Sequence, residues 1–208
     1  MLCKSYFHHH YYVHNFHSKT MNGNELKVCI VMGVAGCGKT TVGSAIAKKC
    51  NVTFLDADDY HSFSNKQKML SGIALTDEDR AVWLITLDML LSGCYAARKS
   101  VVIACSALKR QYRKILFGTN NHRANCTEII YLKISEETAR QRVNNRQDHF
   151  FPSKLIASQF EALQPPEADE CSCVVEINAN MELKNVISSA VEHFQKCTRS
   201  KQQKHPTR

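Results

Sequence analysis

The sequence contains no apolar stretch of about 18 residues, and its N-terminus lacks the apolar region of a signal peptide. We therefore predict a cytoplasmic protein whose thiols stay reduced. A zinc site is also disfavoured, because the ten cysteines include no C-x-x-C motif. Only Cys171 and Cys173 form a close pair, with C-x-C spacing, while Cys29 and Cys105 lie inside apolar runs.

Positive charge is not concentrated where a nucleic acid could bind. The net charge is +8, of which residues 196–208 carry +5 and residues 1–26 carry +1. The remaining +2 is too little for the basic face that duplex binding requires. We predict that the protein binds neither nucleic acid nor membranes. The sequence leaves open whether the chain forms a homodimer.

A chain of 208 residues fits one compact domain with short additional tails. We assign the domain to residues 27–195, between an N-terminal extension (1–26) and a basic C-terminal tail (196–208). The extension has five histidines among aromatic residues. Such a tract can bind metal, but it is more often a disordered chain end.

Short apolar runs alternate with helical patterns through the predicted domain. Five runs have the length of buried strands: 27–32, 52–55, 101–105, 129–134 and 173–177. Helical periodicity appears at 40–50, 76–92, 108–117, 135–144, 153–163 and 182–195. This alternation predicts an α/β fold, a three-layer sandwich with helices on both faces of a five-stranded parallel sheet. We expect residues 56–100 to form a helical substrate-binding flap and residues 144–152 a short lid.

The motif G-x-x-x-x-G-K-[ST] occurs once, as GVAGCGKT, between the first predicted strand and the first predicted helix. In such a P-loop the backbone N–H groups surround phosphate oxygens at a helix N-terminus. The predicted nucleotide-binding residues are Gly33, Val34, Ala35, Gly36, Cys37, Gly38, Lys39, Thr40 and Thr41. Lys39 should reach the β and γ phosphates of the nucleotide, and Thr40 should offer its hydroxyl to Mg²⁺. The motif alone does not separate kinases from GTPases, ATPases or motors.

Cys37 lies in this loop beside Lys39 and a helix N-terminus, a setting that favours a reactive thiolate. The alternative is a buried, inert thiol.

Two carboxylates, Asp56 and Asp58, follow the second predicted strand. Strand alternation would point both side chains in one direction. One can hold a Mg²⁺-bound water while the other accepts the proton of an attacking hydroxyl. The third strand ends in Cys105 and Ser106 without a Walker-B acid, which makes Asp56 the candidate on the metal side.

Several cations flank the same predicted cleft, namely Lys68, Arg80, Lys109, Arg110 and Arg113. Together with His61 they suit a substrate that has a carboxylate and many hydroxyls.

At these residues the sequence resembles the gluconokinase family, which belongs with shikimate and adenylate kinases to one group of P-loop kinases. The matching segments are GVAGCGKTTVG, FLDADDYH, KMLSGIALTDEDR followed by Trp83, ACSALKRQYR and HFFPSKLIASQFEALQPPE. The resemblance implies ATP-dependent phosphorylation of D-gluconate at its terminal hydroxyl, giving 6-phospho-D-gluconate, within carbohydrate metabolism. Asp56 would then serve Mg²⁺ through water, and Asp58 would orient or deprotonate the acceptor.

The resemblance also implies roles for further residues. The acceptor pocket would contain Asp58, His61, Lys68, Arg80, Ser106, Lys109 and Arg113. The lid over ATP would contain Arg142, Arg146 and His149, and the catalytic residues would be Lys39, Asp58, Arg142 and Arg146.

The sequence departs from the family pattern at five positions: Ala35 and Cys37 replace serines, Ser62 and Val82 replace prolines, and Asp148 replaces a glycine. The loop replacements matter little because its backbone binds the phosphates. An acid at Asp148 would weaken lid closure. Two alternatives stay open, a shikimate-like or nucleotide kinase and a nucleotide-binding protein without catalysis.

Overall fold

A computed structural model describes residues 26–145, 152 and 155–200, the side chains of 197–200 excepted. The strands are Val28–Met32 (β1), Thr53–Asp56 (β2), Val101–Ala104 (β3), Thr127–Lys133 (β4) and Cys173–Asn178 (β5). The α-helices are Lys39–Cys50 (α1), Phe63–Leu70 (α2), Asp77–Ala96 (α3), Arg110–Leu116 (α4), Glu136–Asn144 (α5), Ile156–Ala162 (α6) and Leu183–Ser200 (α7). Short 3-10 helices span Ala57–Tyr60, Thr119–Asn121 and Ala124–Cys126. Every helix within these ranges is too short or too polar to span a bilayer.

All five strands form one parallel sheet in the order β2-β3-β1-β4-β5. The central strand β1 is completely buried, so its side chains alternate between two apolar cores. Val28, Ile30 and Met32 face the core covered by α3 and α4, whereas Cys29 and Val31 face the core covered by α1 and α7. The predicted three-layer α/β sandwich is confirmed.

The segment that joins β2 to β3 has two parts. Residues 57–76 contain a 3-10 helix and α2, and they form the predicted flap beside the carboxyl ends of the strands. α3 instead belongs to the core, since Trp83, Leu84, Leu87 and Leu91 are buried on its inner side. A capping box formed by Thr76 and Asp79 begins this helix by satisfying its first N–H groups. The flap is thus anchored to a helix that packs on the sheet.

Candidate active site

A cleft open to solvent lies at the carboxyl ends of the strands, where ligands bind in open α/β sheets. It is lined by the P-loop, the flap, α3, the residue after β3, and the region of α5 and α6. Of the predicted site residues, the lining includes Ala35, Gly36, Gly38, Lys39, Thr40, Asp58, His61, Arg80 and Ser106.

The P-loop takes its shape from glycines in the left-handed region. Gly36 has φ 82°, and a Cβ there would lie 2.7 Å from the carbonyl oxygen of Ala139 in α5. Gly38, with φ 99°, is the N-cap of α1 and has no side chain that could occupy the first N–H groups of the helix. Those N–H groups and the helix dipole therefore face the cleft as an anion-binding site.

Two side chains, Lys39 at the end of the P-loop and Gln159 of α6, form hydrogen bonds with the P-loop backbone. The Lys39 Nζ donates a hydrogen bond to the Val34 carbonyl at 3.0 Å, which keeps the ammonium over the loop. Gln159 of α6 accepts a 2.6 Å hydrogen bond from the Ala35 N–H. Sequence reasoning did not identify Gln159, although it lies within the last segment that resembles the kinase family.

The two carboxylates reach the cleft in different ways. Thr40 Oγ1 donates to Asp56 Oδ2 at 2.7 Å, although β3 lies between β1 and β2 in the sheet. Asp56 Oδ1 accepts from the Asp58 N–H at 3.1 Å and thereby caps the 3-10 helix. The prediction from strand alternation was wrong in its premise, because β2 ends at Asp56 and Asp58 lies in that 3-10 helix. Asp58 nevertheless lines the cleft.

His61 is stacked on Trp83, with ring centroids 4.3 Å apart and an angle of 11° between the planes. Burial, followed by the nearby cations Arg80 and Lys66, lowers the pKa of His61 to about 4. The imidazole is therefore neutral at physiological pH. Its Nδ1 is buried and has no hydrogen-bond partner among the described residues, so a polar group of a ligand can satisfy it.

Trp83 also fixes the backbone next to the acid. Its indole N–H donates a buried 2.7 Å hydrogen bond to the Ala57 carbonyl, one residue before Asp58. The sequence identifies Trp83 only as part of a motif, because helical spacing does not reveal which carbonyl an indole N–H contacts. In the structure it connects α3, His61 and the carboxylate.

Arg80 and Ser106 also line the cleft. The Arg80 guanidinium donates to the carbonyls of Leu75 and Thr76, so part of its hydrogen-bonding capacity is used by the flap. The Ser106 carbonyl accepts from the Gly33 N–H at 3.4 Å, which joins the loop after β3 to the P-loop.

Two predicted acceptor residues are held by acids outside the cleft lining. Lys68 pairs with Asp79 at 2.6 Å, and Lys109 pairs with Asp77 at 2.7 Å. Hydrogen bonds from Lys109 and then Tyr112 lower the pKa of Asp77 to about 2. These pairs attach α2 and α4 to the first turn of α3, and the structure does not bring either lysine into the cleft.

Arg113 requires a correction, because its side chain is completely buried. It forms a bidentate ion pair with Glu170, with Nε–Oε2 and Nη2–Oε1 distances of 2.6 and 2.7 Å. Its Nη1 donates to the carbonyls of Ala107, Leu108 and Gln164. Arg113 is thus a structural residue that fixes the loop after β3, not part of the cleft surface. The sequence does not reveal that Arg113 pairs with Glu170, which lies 57 residues away.

The predicted thiolate at Cys37 is also wrong. Its side chain is buried under the P-loop, and a Cβ on Gly33 would lie only 2.8 Å from its Sγ. Burial raises the pKa of the thiol, and this effect outweighs the lowering by Lys39. The structure agrees with the alternative of a buried cysteine, and the slow reaction of its thiol stays a prediction.

The lid prediction falls mostly outside the described residues, which exclude Arg146, Asp148 and His149. Arg142 lies at the end of α5 and donates to the Met181 carbonyl at 3.5 Å. Its role toward ATP stays a prediction.

Comparison with known proteins identifies relatives over most of the chain. A family model described as an AAA domain matches residues 28–166. The probable gluconokinase of Xenopus tropicalis is 38% identical over 176 residues, which cover 79% of this chain and 91% of the relative. The thermosensitive gluconokinase of Escherichia coli K12 is 41% identical over 157 residues, covering 76% and 81%.

Solved structures agree with this result. A gluconokinase from Sinorhizobium meliloti superposes with a TM-score of 0.75 at 33% identity, covering 88% of this chain and 99% of that one. A shikimate kinase from Bacteroides thetaiotaomicron, at 19% identity and a TM-score of 0.53, shares the fold over 82% and 97% of the two chains. With its P-loop, its paired carboxylates and relatives that match along nearly their whole length, the chain belongs to the gluconokinase family.

Proposed function

We propose that this protein transfers the γ-phosphoryl group of ATP to the terminal hydroxyl of D-gluconate, giving ADP and 6-phospho-D-gluconate. The observation that carries the proposal is one cleft in which the P-loop faces Asp58, His61, Arg80 and Ser106. The relatives named as gluconokinases cover most of the chain and support gluconate as the acceptor.

The nucleotide side of the cleft would bind the phosphates through the N–H groups of the P-loop and the Lys39 ammonium. The oxygens of Thr40 and Asp56, 2.7 Å apart, are hard donors of the kind that Mg²⁺ prefers. Thr40 would hold the ion directly and Asp56 through water, and the bound ion would neutralise charge on the phosphates. Lys39 would stabilise the charge that develops on the transferred group.

The acceptor side would orient one hydroxyl toward the γ-phosphorus. As the new O–P bond forms and the bond to the β,γ-bridging oxygen breaks, Asp58 would accept the hydroxyl proton. Neutral His61 can hydrogen-bond a substrate oxygen through its buried Nδ1. Arg80 would provide positive charge for the substrate carboxylate. This arrangement favours a hydroxylated acid over a nucleotide base as the acceptor.

An ADP-release assay over a panel of acceptors tests the substrate. We expect D-gluconate to have the highest kcat/KM among gluconate, its epimers, shikimate and nucleoside monophosphates. A preference for shikimate or a nucleotide would assign the chain to another kinase activity. Absence of turnover with every acceptor, together with ATP binding, would indicate a nucleotide-binding protein without catalysis.

Three matched amide variants test the carboxylate roles. Asp58→Asn should lower kcat by about 10²–10⁴-fold and preserve ATP binding, because it removes the proton acceptor. Asp56→Asn should instead raise the Mg²⁺ concentration needed for activity. Asp59→Asn, on the same 3-10 helix but exposed, is the control and should be near normal. A normal Asp58→Asn enzyme that binds Mg²⁺·ATP poorly would reverse the two roles.

The predicted cytoplasmic location and the absence of nucleic-acid binding remain predictions from sequence. Fractionation of cells that express the full chain would test the first, and titration with duplex DNA and RNA the second.

A further inference from the structure

We propose that Gln159 is a positioning residue for phosphoryl transfer, which acts by orienting the peptide unit that holds the Lys39 ammonium. This unit joins Val34 to Ala35 in the P-loop, and we call it the 34–35 peptide. Gln159 belongs to α6 and lies far outside the sequence motif of the P-loop. Its role rests on the proposed function in one respect, because it assigns Lys39 to the phosphates of ATP.

Lys39 and Gln159 form hydrogen bonds with the two polar groups of the 34–35 peptide. The carbonyl, on Val34, accepts from Lys39 Nζ at 3.0 Å. The N–H, on Ala35, donates to Gln159 Oε1 at 2.6 Å. The peptide bond is trans, so its carbonyl and its N–H point in opposite directions. The two side chains therefore hold opposite edges of a single peptide plane.

The planarity of the peptide couples these two contacts. A peptide unit turns as a whole about the bonds to its two Cα atoms, so its N–H cannot change direction without its carbonyl. By fixing the Ala35 N–H, Gln159 also fixes the direction of the carbonyl that Lys39 contacts. The Val34 carbonyl accepts from the Cys37 N–H as well, but at a longer distance of 3.4 Å. We therefore expect the shorter contacts with Lys39 and Gln159 to set the orientation.

A glutamine suits this position because it accepts a hydrogen bond without carrying charge. The backbone N–H of Ala35 can only donate, so the atom of the Gln159 amide that faces it must be the oxygen. Gln159 lines the cleft together with Ala35 and Lys39. A carboxylate at the same place would compete for the Lys39 ammonium and repel the phosphates.

The core holds α6, and with it Gln159, in place. Ile156 is completely buried, and Phe160 packs against the same apolar core, which also contains Val34 of the P-loop. Beyond the helix, the Gln164 N–H donates to the Leu108 carbonyl at 2.8 Å. A close-packed helix has few alternative positions, so the fold itself sets the distance from Gln159 to the loop.

The position of Lys39 should affect the rate more than substrate binding. A cation near the transferred phosphoryl group stabilises the charge that develops there, and a misplacement of about 1 Å can cost about 10²-fold in rate. Removal of the Gln159 oxygen should therefore lower kcat. The KM for gluconate should change little, because the change disturbs the P-loop and leaves the flap intact.

Substitutions of Gln159 test its contact with the loop. Gln159→Met keeps the length of the side chain and removes the acceptor, so kcat for gluconate should fall about 10–100-fold with a KM for gluconate within about twofold of wild type. Gln159→Asn keeps the amide but is one methylene shorter, so its oxygen should not reach Ala35 and kcat should fall similarly. Gln164→Met is the control, because Gln164 Oε1 also accepts a backbone N–H, from Arg110 at 2.8 Å, outside the described cleft lining. Its kcat should stay within about twofold of wild type.

A double-mutant cycle with Lys39→Ala tests whether Gln159 acts through Lys39. Without the ammonium, the orientation of the peptide that held it should not matter, so adding Gln159→Met should change the residual kcat by less than about twofold. Independent effects would multiply instead. The same cycle should be measured by calorimetry as the Kd for Mg²⁺·ATP. Gln159→Met should weaken this binding by about threefold or more when Lys39 is present, and not in Lys39→Ala.

Three results would overturn the positioning role: a normal kcat in Gln159→Met, effects that multiply with those of Lys39→Ala, or an equal loss in Gln164→Met. Melting temperatures of all variants check their folding, and Gln159→Asn carries the same test if Gln159→Met is too unstable to assay. A wild type that shows the coupling in Mg²⁺·ATP binding but does not phosphorylate gluconate would refute the proposed function and still support the role of Gln159.

Discussion

Replacing Arg113 by Met should lower the stability of the folded protein without removing a substrate contact. The buried pair with Glu170 has side-chain exposures of 0% and 2%. Removing one partner of such a pair leaves the other charge buried and uncompensated, which costs about 3–5 kcal/mol. At about 2–4 °C for each kcal/mol in a chain of this size, the melting temperature should fall by about 6–20 °C.

Two further variants separate the sources of this loss. Arg110→Met makes the same change three residues earlier, where Arg110 pairs with Glu167 and Asp169 at the surface, and should have little effect. Arg113→Met combined with Glu170→Leu should recover part of the stability, because no buried charge is left alone. Recovery should be incomplete, since the carbonyls that accept from Arg113 still lose their donor.

The measurement should be made at about pH 7.5, for a reason that follows from Glu170. Burial by itself would raise the pKa of this carboxyl, but the hydrogen bonds from Arg113 and the Glu167 backbone hold it below its ordinary value. A lowered pKa in the folded state adds stability above the ordinary pKa of glutamate, and this stability is lost as the pH falls through the folded value. At pH 7.5 the contribution is therefore complete.

Kinetics decide between this structural role and the acceptor contact that the family resemblance implied. Well below its melting temperature, Arg113→Met should bind gluconate with at most a modest rise in KM. That rise would come from movement of the loop that carries Ser106. An unchanged melting temperature together with a rise in KM of about 100-fold would refute our reasoning and make Arg113 a substrate ligand.

Three other changes give equally direct tests. Lys39→Ala should lower kcat by at least about 10²–10³-fold with an unchanged melting temperature, and near-normal activity would remove the P-loop kinase mechanism. Iodoacetamide should modify Cys37 slowly in the native enzyme, because the thiol is buried and its pKa is raised. The Cys37→Ser variant should therefore be inactivated at the same overall rate as the wild type. A rapid loss of activity that ATP prevents would contradict the burial of Cys37. Trp83→Phe keeps the stacking on His61 but removes the indole N–H, so kcat for gluconate should fall about tenfold while KM for ATP stays constant. A lower kcat together with a comparable rise in the KM for ATP would indicate general unfolding around the cleft.

Most of the fold could be predicted because buried parallel strands and amphipathic helices leave local patterns. The apolar runs at 101–105 and 173–177 correspond to β3 and β5, and each predicted C-terminal end differs from the observed one by one residue. Strand order is different, since it depends on which crossovers pack together, and the insertion of β3 between β1 and β2 has no local signal. The sequence predicts one flap over residues 56–100 because it has no local sign of which helices pack on the sheet, whereas α3 packs in the core.

The candidate site divides along similar lines. The P-loop and the partnership of Thr40 with Asp56 follow from local chemistry, since a hydroxyl and a carboxylate must meet near the phosphates. The roles of Arg113 and Gln159 depend instead on contacts with Glu170 and Ala35, which lie 57 and 124 positions away. A sequence motif does not show whether a cationic side chain is buried in an ion pair or exposed to a substrate. Only the fold distinguishes the two.

The position of α3 connects two residues of the cleft to the core. This one helix presents Arg80 and Trp83 to the cleft, buries Leu87 and Leu91 against the sheet, and holds Arg123 through Asp88. A close-packed helix has few alternative positions, so the two cleft residues are held in register with the sheet that also carries the P-loop. Phosphoryl transfer depends mainly on positioning, and small errors in the distance between acceptor and phosphate are costly. A core change such as Leu87→Ala should therefore affect KM for gluconate as well as stability, although Leu87 touches no substrate.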